Sequence, residues 1–249
     1  MEGEGAAAET VAIAGAGGDG IEAYLAVTSA PGPVGGVVVL HHMPGYDSST
    51  KEITRRFATK GYNAICPNLH YREAPGASPD DAAAAVRAAG GVPDDRLVGD
   101  VEGAAAHLRE LGNGGGRIGV IGYCSGGRQA FLAACSLSLD AAVDCYGGYV
   151  VEEPPEGFAL AVRPLTHLAT NLSCPLLGLF GADDPHPSPE HVAELDRVLT
   201  EAGKPHEFHT FANAGHGFFS SDSPSYRADA AEQGWVLIGG FFSRLLAGG

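Results

Sequence analysis

The 249-residue chain has no apolar run approaching the ~20 residues a bilayer-spanning helix requires. Its opening, MEGEGAAAET, lacks both the basic start and the apolar stretch of a secretory signal. These absences predict a cytoplasmic protein that does not reside in a membrane. Basic residues are scarce, 15 Lys and Arg against 30 Asp and Glu, for a formal net charge of -15. Nucleic-acid binders draw much of their affinity from neutralising phosphates, so this balance argues against them and against anionic lipid surfaces. The acidity reads instead as a solvated surface. Cysteine is limited to Cys66, Cys124, Cys135, Cys145 and Cys174, an odd number without CxxC or zinc-ligand spacing. Reduced thiols follow, not a disulfide framework. His41, His42, His70 and His216 lack HExxH-type spacing, so no metal is expected, and no motif demands a cofactor.

Hydrophobic residues make up 45% of the chain and charged residues 18%, enough for a sizeable core in one large domain. That domain is expected over residues 10–249, behind a frayed tail at 1–9. TVAIAGAGGDGIEAYLAVT reads as two strands around a GGDG turn. GGVVVLHH (35–42) is a β-branched run suited to a strand buried on both faces. Further strands are predicted at 62–67, 117–123, 141–149, 175–181 and 206–212. Helices are predicted at about 49–60, in the Ala-rich part of 68–93, and at 98–111, 125–135, 189–202 and 226–246. Gly114 to Gly116 precede a strand and lack a following Gly-Lys-Ser/Thr, so they read as a plain turn and not a phosphate loop. Strands alternating with helices after an opening hairpin predict an α/β fold, a mostly parallel central sheet covered by helices on both faces.

The strongest chemical signal is GYCSGG (122–127), which has the form G-x-nucleophile-x-G between a predicted strand and a predicted helix. In that context the turn presents its central side chain at the carboxyl end of the sheet, the nucleophile elbow of α/β-hydrolases. The helix N-terminus behind it favours a thiolate. The bland alternative is a buried, inert cysteine in a glycine-rich turn. Such a nucleophile needs an acid and then a histidine, in that chain order. Asp183 and Asp184 follow the strand PLLGLFG, and His216 follows the strand HEFHTFA. Taken singly, the aspartates could be helix caps and His216 a solvated loop residue. Their order after Cys124 favours a triad in which His216 takes the thiol proton and an aspartate fixes its tautomer. The backbone N–H groups of Ser125 and Met43 are positioned to form an oxyanion hole.

From about residue 35 to the C-terminus the chain resembles the dienelactone hydrolase family, on the landmarks VVVLHHMPG, CPNLHYREAPG, IGVIGYCSGG, LFGADDP and NAGHGFF. The resemblance implies an α/β-hydrolase fold and hydrolysis of an ester or lactone through a covalent acyl-cysteine, as in a carboxymethylenebutenolidase. It maps the nucleophile onto Cys124, the histidine onto His216 and the acid onto Asp184 in preference to Asp183. It places a substrate-carboxylate arginine at Arg72. His42 stands where the family has a nucleophile-adjacent glutamate, and it could accept the thiol proton or pair with the thiolate. Ser220 stands where the family has a second arginine. The expected partner is therefore a small ester or lactone, broader or less anionic than a dienelactone, acted on by a monomer or small homo-oligomer. A thiol sensor or binding module on the same fold is the competing reading, because fold does not dictate function.

Overall fold

A computed structural model describes residues 6–247. It opens with the expected hairpin, β1 (Ala7–Ala14) paired antiparallel with β2 (Gly20–Val27) from Ala7 opposite Val27 to Ala14 opposite Gly20. Of the expected tail, residues 1–5 lie outside the described residues, whereas Ala7 to Glu9 are ladder members. Pairing there uses backbone groups, which small or charged exposed side chains do not prevent.

The strands β3 (Val34–Leu40), β4 (Asn63–Pro67), β5 (Gly114–Tyr123), β6 (Ala141–Cys145), β7 (Leu176–Gly181) and β8 (His206–Phe211) complete a sheet of order β1-β2-β4-β3-β5-β6-β7-β8. From β4 to β8 the pairing is parallel, and β2 joins β4 antiparallel. Every residue of β3 is buried, and its alternation divides the core. Val38 and Leu40 face a layer that includes Leu97 and Val101 of α3 (Asp94–Glu110), Phe131 of α4 (Ser125–Ser136) and Leu199 of the later helix Pro189–Glu201. Val37 and Val39 face Phe57 of α1 (Ser48–Thr59) and Trp235, Ile238 and Phe242 of the last helix, Ala228–Leu246. With α2 at Pro79–Ala88, these last two helices are α5 and α6. Helices on both faces account for the nearly continuous apolar reading of the parallel strands.

Three boundaries differ from expectation, the first being β6, which stops at Cys145 and not at 149. Helix α3 begins at Asp94, not near Val98, and Asp94 and Asp95 occupy its first turn, where carboxylates favour the helix dipole. Gly114 to Gly116 belong to β5 and not to a turn. A Cβ at Gly115 would lie 2.8 Å from the carbonyl oxygen of Val34, so this close strand approach requires glycine. Among the described residues no helix is long and apolar enough to cross a membrane.

Candidate active site

Strand β5 ends at Tyr123 and α4 starts at Ser125, so Cys124 makes the whole connection. Its backbone sits at φ 57, ψ -121, a conformation that costs a non-glycine residue energy and clusters at functional sites. A Cβ at Gly122 would overlap the Gly126 carbonyl, and one at Gly126 would overlap the Leu40 carbonyl. The two glycines thus permit the crowding that the elbow needs. The Cys124 N–H donates to Cys145 O at 3.0 Å, and its carbonyl accepts from Gly127 N–H at 2.9 Å, which locks the turn. Cys124 is partly exposed, while Cys66, Cys135, Cys145 and Cys174 are buried. Burial pushes the Cys135 and Cys174 thiols up to about 12, and Cys66 and Cys145 are raised for the same reason, which suits packing and not reactivity.

The loop after β7 carries Asp184, and the loop after β8 carries His216. His216 Nδ1 donates to Asp184 Oδ2 at 2.9 Å, and the other carboxylate oxygen accepts the His186 N–H at 2.9 Å. The Asp184 side chain is wholly buried, so both of its oxygens need those donors. Asp183 is exposed, and its N–H is bonded to Ala214 O. Burial acts to lower the His216 imidazole. The Asp184 bond and then the Cys124 sulfur outweigh it and hold the group up, at about 10. The Tyr146 ring and the imidazole meet edge to face, with ring centroids 5.1 Å apart.

Cys124, His216, Asp184, Ser125 and Met43 line one cavity of about 390 Å³ at the carboxyl ends of the parallel strands. As the first residue of α4, Ser125 has an N–H with no helical carbonyl to receive it. Met43 enters from the loop after β3. Sequence and structure therefore bring these five residues together.

The two other residues singled out, His42 and Arg72, make contacts elsewhere. His42 is outside the cavity lining, with Nε2 3.1 Å from Asp47 Oδ2. Asp47 caps α1 by accepting the Thr50 N–H at 2.8 Å. Burial raises its carboxyl, but the His42 and Thr50 bonds outweigh that effect and hold it well below the usual carboxylate range. His42 is thus bonded to the residue that caps α1. Arg72 is also outside the lining. Its NH1 and NH2 donate to Asp100 at 2.8 and 3.0 Å, and its Nε donates to Asp19 at 3.1 Å. Asp100 is a wholly buried carboxylate inside α3, satisfied by the arginine fork together with the Ala16 N–H. That engagement occupies the guanidinium that the resemblance assigns to a substrate carboxylate. Half-buried Ser220 does not line the cavity either.

His41 and His70 are buried and meet edge to face at 4.6 Å. Burial is the main cause that takes them down to about 3 and about 4, so both are neutral packing groups. Among the described residues no group of three His, Cys, Asp or Glu side chains is placed to hold a metal.

Sequence reasoning missed much of the wall. Arg128 is four residues, one helical turn, beyond Cys124, a spacing that could have flagged it. Its guanidinium donates to Asp94 at 3.2 Å and to Arg163 O at 2.8 Å. Arg87 comes from the last turn of α2. Tyr149, Phe158, Leu160 and Val162 come from the irregular segment after β6, where no periodicity marks them.

The model of the dienelactone hydrolase family matches residues 21–246. A protein of Escherichia coli K12 provisionally named carboxymethylenebutenolidase is 33% identical over 224 residues, 88% of this chain and 80% of its own length. A Bradyrhizobium protein provisionally named 2-oxo-3-(5-oxofuran-2-ylidene)propanoate lactonase is 29% identical over 236 residues, 92% of this chain and 93% of its own. The crystal structure of a provisionally named dienelactone hydrolase from Klebsiella pneumoniae superposes with a TM-score of 0.85 at 26% identity, over 97% of this chain and 100% of that one.

Proposed function

The chain belongs to the dienelactone hydrolase family, and we infer that it hydrolyses small carboxylic esters or lactones through an acyl-enzyme on Cys124. The observation that carries this reading is the convergence of a strained, partly exposed Cys124 and an Asp184-bound His216 on one cavity. With its imidazole held up at about 10, chiefly by the bond to Asp184, His216 carries the proton that it later gives to the leaving oxygen. Sγ forms a bond to the carbonyl carbon, and the oxygen that becomes negative faces the N–H groups of Ser125 and Met43. Collapse breaks the C–O bond, and the leaving oxygen takes the proton from His216. His216, now neutral, accepts a proton from water as that water attacks the thioester, and Cys124 leaves to restore the starting state. Asp184 holds the imidazole in the tautomer that this exchange requires.

The test is pre-steady-state hydrolysis of an activated ester. A burst equal to the enzyme concentration, with the acyl group found on Cys124 by mass spectrometry, is expected. Cys124→Ala and His216→Ala should each lower kcat by roughly 10³-fold or more. Near-normal turnover in either variant overturns the assignment. Reaction with peroxide and no ester turnover would favour the thiol-sensor reading, to which the partial exposure of Cys124 also lends itself.

A further inference from the structure

The cavity contains a feature that hydrolysis at Cys124 does not itself require. Tyr149, Phe158 and His186 form a row of rings along its wall. The Tyr149 ring meets Phe158 at 4.8 Å and an interplanar angle of 53°, and it stacks on the His186 imidazole at 5.7 Å and 25°. Tyr149 is held at φ 61, a costly conformation for an aromatic residue. Phe158 is 37% exposed, one of three large hydrophobic side chains so exposed among the described residues.

The segment carrying this wall is pinned in place. Ala161 N–H donates to Gly90 O and Leu165 N–H donates to Val150 O, both at 2.7 Å, while Arg128 holds the Arg163 carbonyl. Between these ties, Phe158 N–H closes a turn onto Pro155 O at 3.1 Å. The rings are therefore preformed, which lowers the ordering cost of binding against them. An exposed ring at the rim of a ligand-sized cavity loses contact with water when a second ring covers it. Arg72, bound to Asp100, supplies no carboxylate contact there.

We propose that the Tyr149–Phe158–His186 wall selects esters or lactones carrying a neutral aromatic ring in the acyl part, with the ring laid against Phe158 and Tyr149 while Cys124 Sγ displaces the alcohol. This rests on Cys124 being the acylated nucleophile. Sγ bonds to the carbonyl carbon, the C–O bond breaks, and the departing alcohol carries the proton from His216. The aromatic preference arises because tilted ring pairs gain more than their buried area alone accounts for.

The test uses three esters with one leaving group, trifluoroethyl phenylacetate, trifluoroethyl butanoate and the mono-trifluoroethyl ester of succinate. They are turned over by the full-length chain and by Phe158→Ala, Phe158→Leu and Phe158→Tyr. The phenylacetate ester is expected to exceed the butanoate in kcat/KM by about 10-fold. Phe158→Ala and Phe158→Leu should erase most of that ratio through KM, and Phe158→Tyr should retain it. A ratio near one in the wild type, or a ratio unaffected by Phe158→Leu, overturns the proposal. So does a preference for the succinate ester, which would make Arg87 at the cavity wall the determinant. Cys124→Ala separates the two levels of inference. Turnover that survives in it overturns the nucleophile and this proposal together, whereas an inactive Cys124→Ala beside a flat ester series overturns the aromatic wall alone.

Discussion

Replacing Arg72 by alanine should unfold the protein more readily and leave its substrate preference where it was. The Asp100 side chain is wholly buried and that of Arg72 is 18% exposed, and the two are joined by both arms of the guanidinium. Truncating the arginine leaves Asp100 with the Ala16 N–H, at 2.8 Å, as its remaining donor. Breaking one side of a buried ion pair costs roughly 3–5 kcal/mol. Because Arg72 is partly solvated and water can enter the space left behind, the low end, about 3 kcal/mol, applies. The bond to Asp19, whose side chain is 67% exposed, adds little. For a chain of this size each kcal/mol moves Tm by about 2–4 °C, so Tm should fall by about 6–12 °C. Scanning calorimetry reads the shift, and kcat/KM for the butanoate and succinate esters reads the specificity. Adding Asp100→Asn to Arg72→Ala should recover part of the loss, since the orphaned charge is removed while an acceptor for Ala16 remains. An unchanged Tm together with a KM that rises only for the succinate ester would refute this account and return Arg72 to the substrate.

Three further outcomes follow from the same geometry. Asp184→Asn should cost at least about 100-fold in kcat because the imidazole tautomer is lost, while Asp183→Asn, altering an exposed side chain, should stay within a few-fold; comparable losses would mean the wrong carboxylate was chosen. His42→Ala should leave the rate of Cys124 alkylation by iodoacetamide against pH superimposed on wild type and lower Tm slightly through the Asp47 cap; a displaced rate profile would restore His42 to the nucleophile's surroundings. The raised His216 imidazole stabilises the fold fully below its ordinary value of 6.5, and that contribution is lost as pH rises through about 10. Asp184→Asn removes the largest cause that raises it, so the His216 titration followed by NMR should move to lower pH, and an unmoved titration would show that the Asp184 bond does not set it.

Local pattern in the chain was enough for most of the sheet and helices and for the elbow. GGVVVLHH alternates toward two helical layers, GGDG turns one strand back on another, and GYCSGG allows a strand to meet a helix through a single residue. Each of these depends on neighbours within a few positions, and periodicity and glycine placement record such neighbours directly. The choice of partners for charged and aromatic side chains was decided by tertiary structure. Arg72 could have faced a ligand, but the fold sets it against a carboxylate 28 residues away that would otherwise be buried alone. His42 follows the strand that leads to the nucleophile's loop, yet its ring turns to the cap of α1. Asp183 and Asp184 are adjacent and chemically identical, and only the path of the loop aims one at His216 and the other at water. Tyr149 and Phe158 come from a segment with no repeat at all, and their meeting beside Cys124 depends on backbone ties to Gly90 and Val150. Such pairings turn on distance and desolvation across elements far apart in the chain, and a linear sequence carries neither quantity.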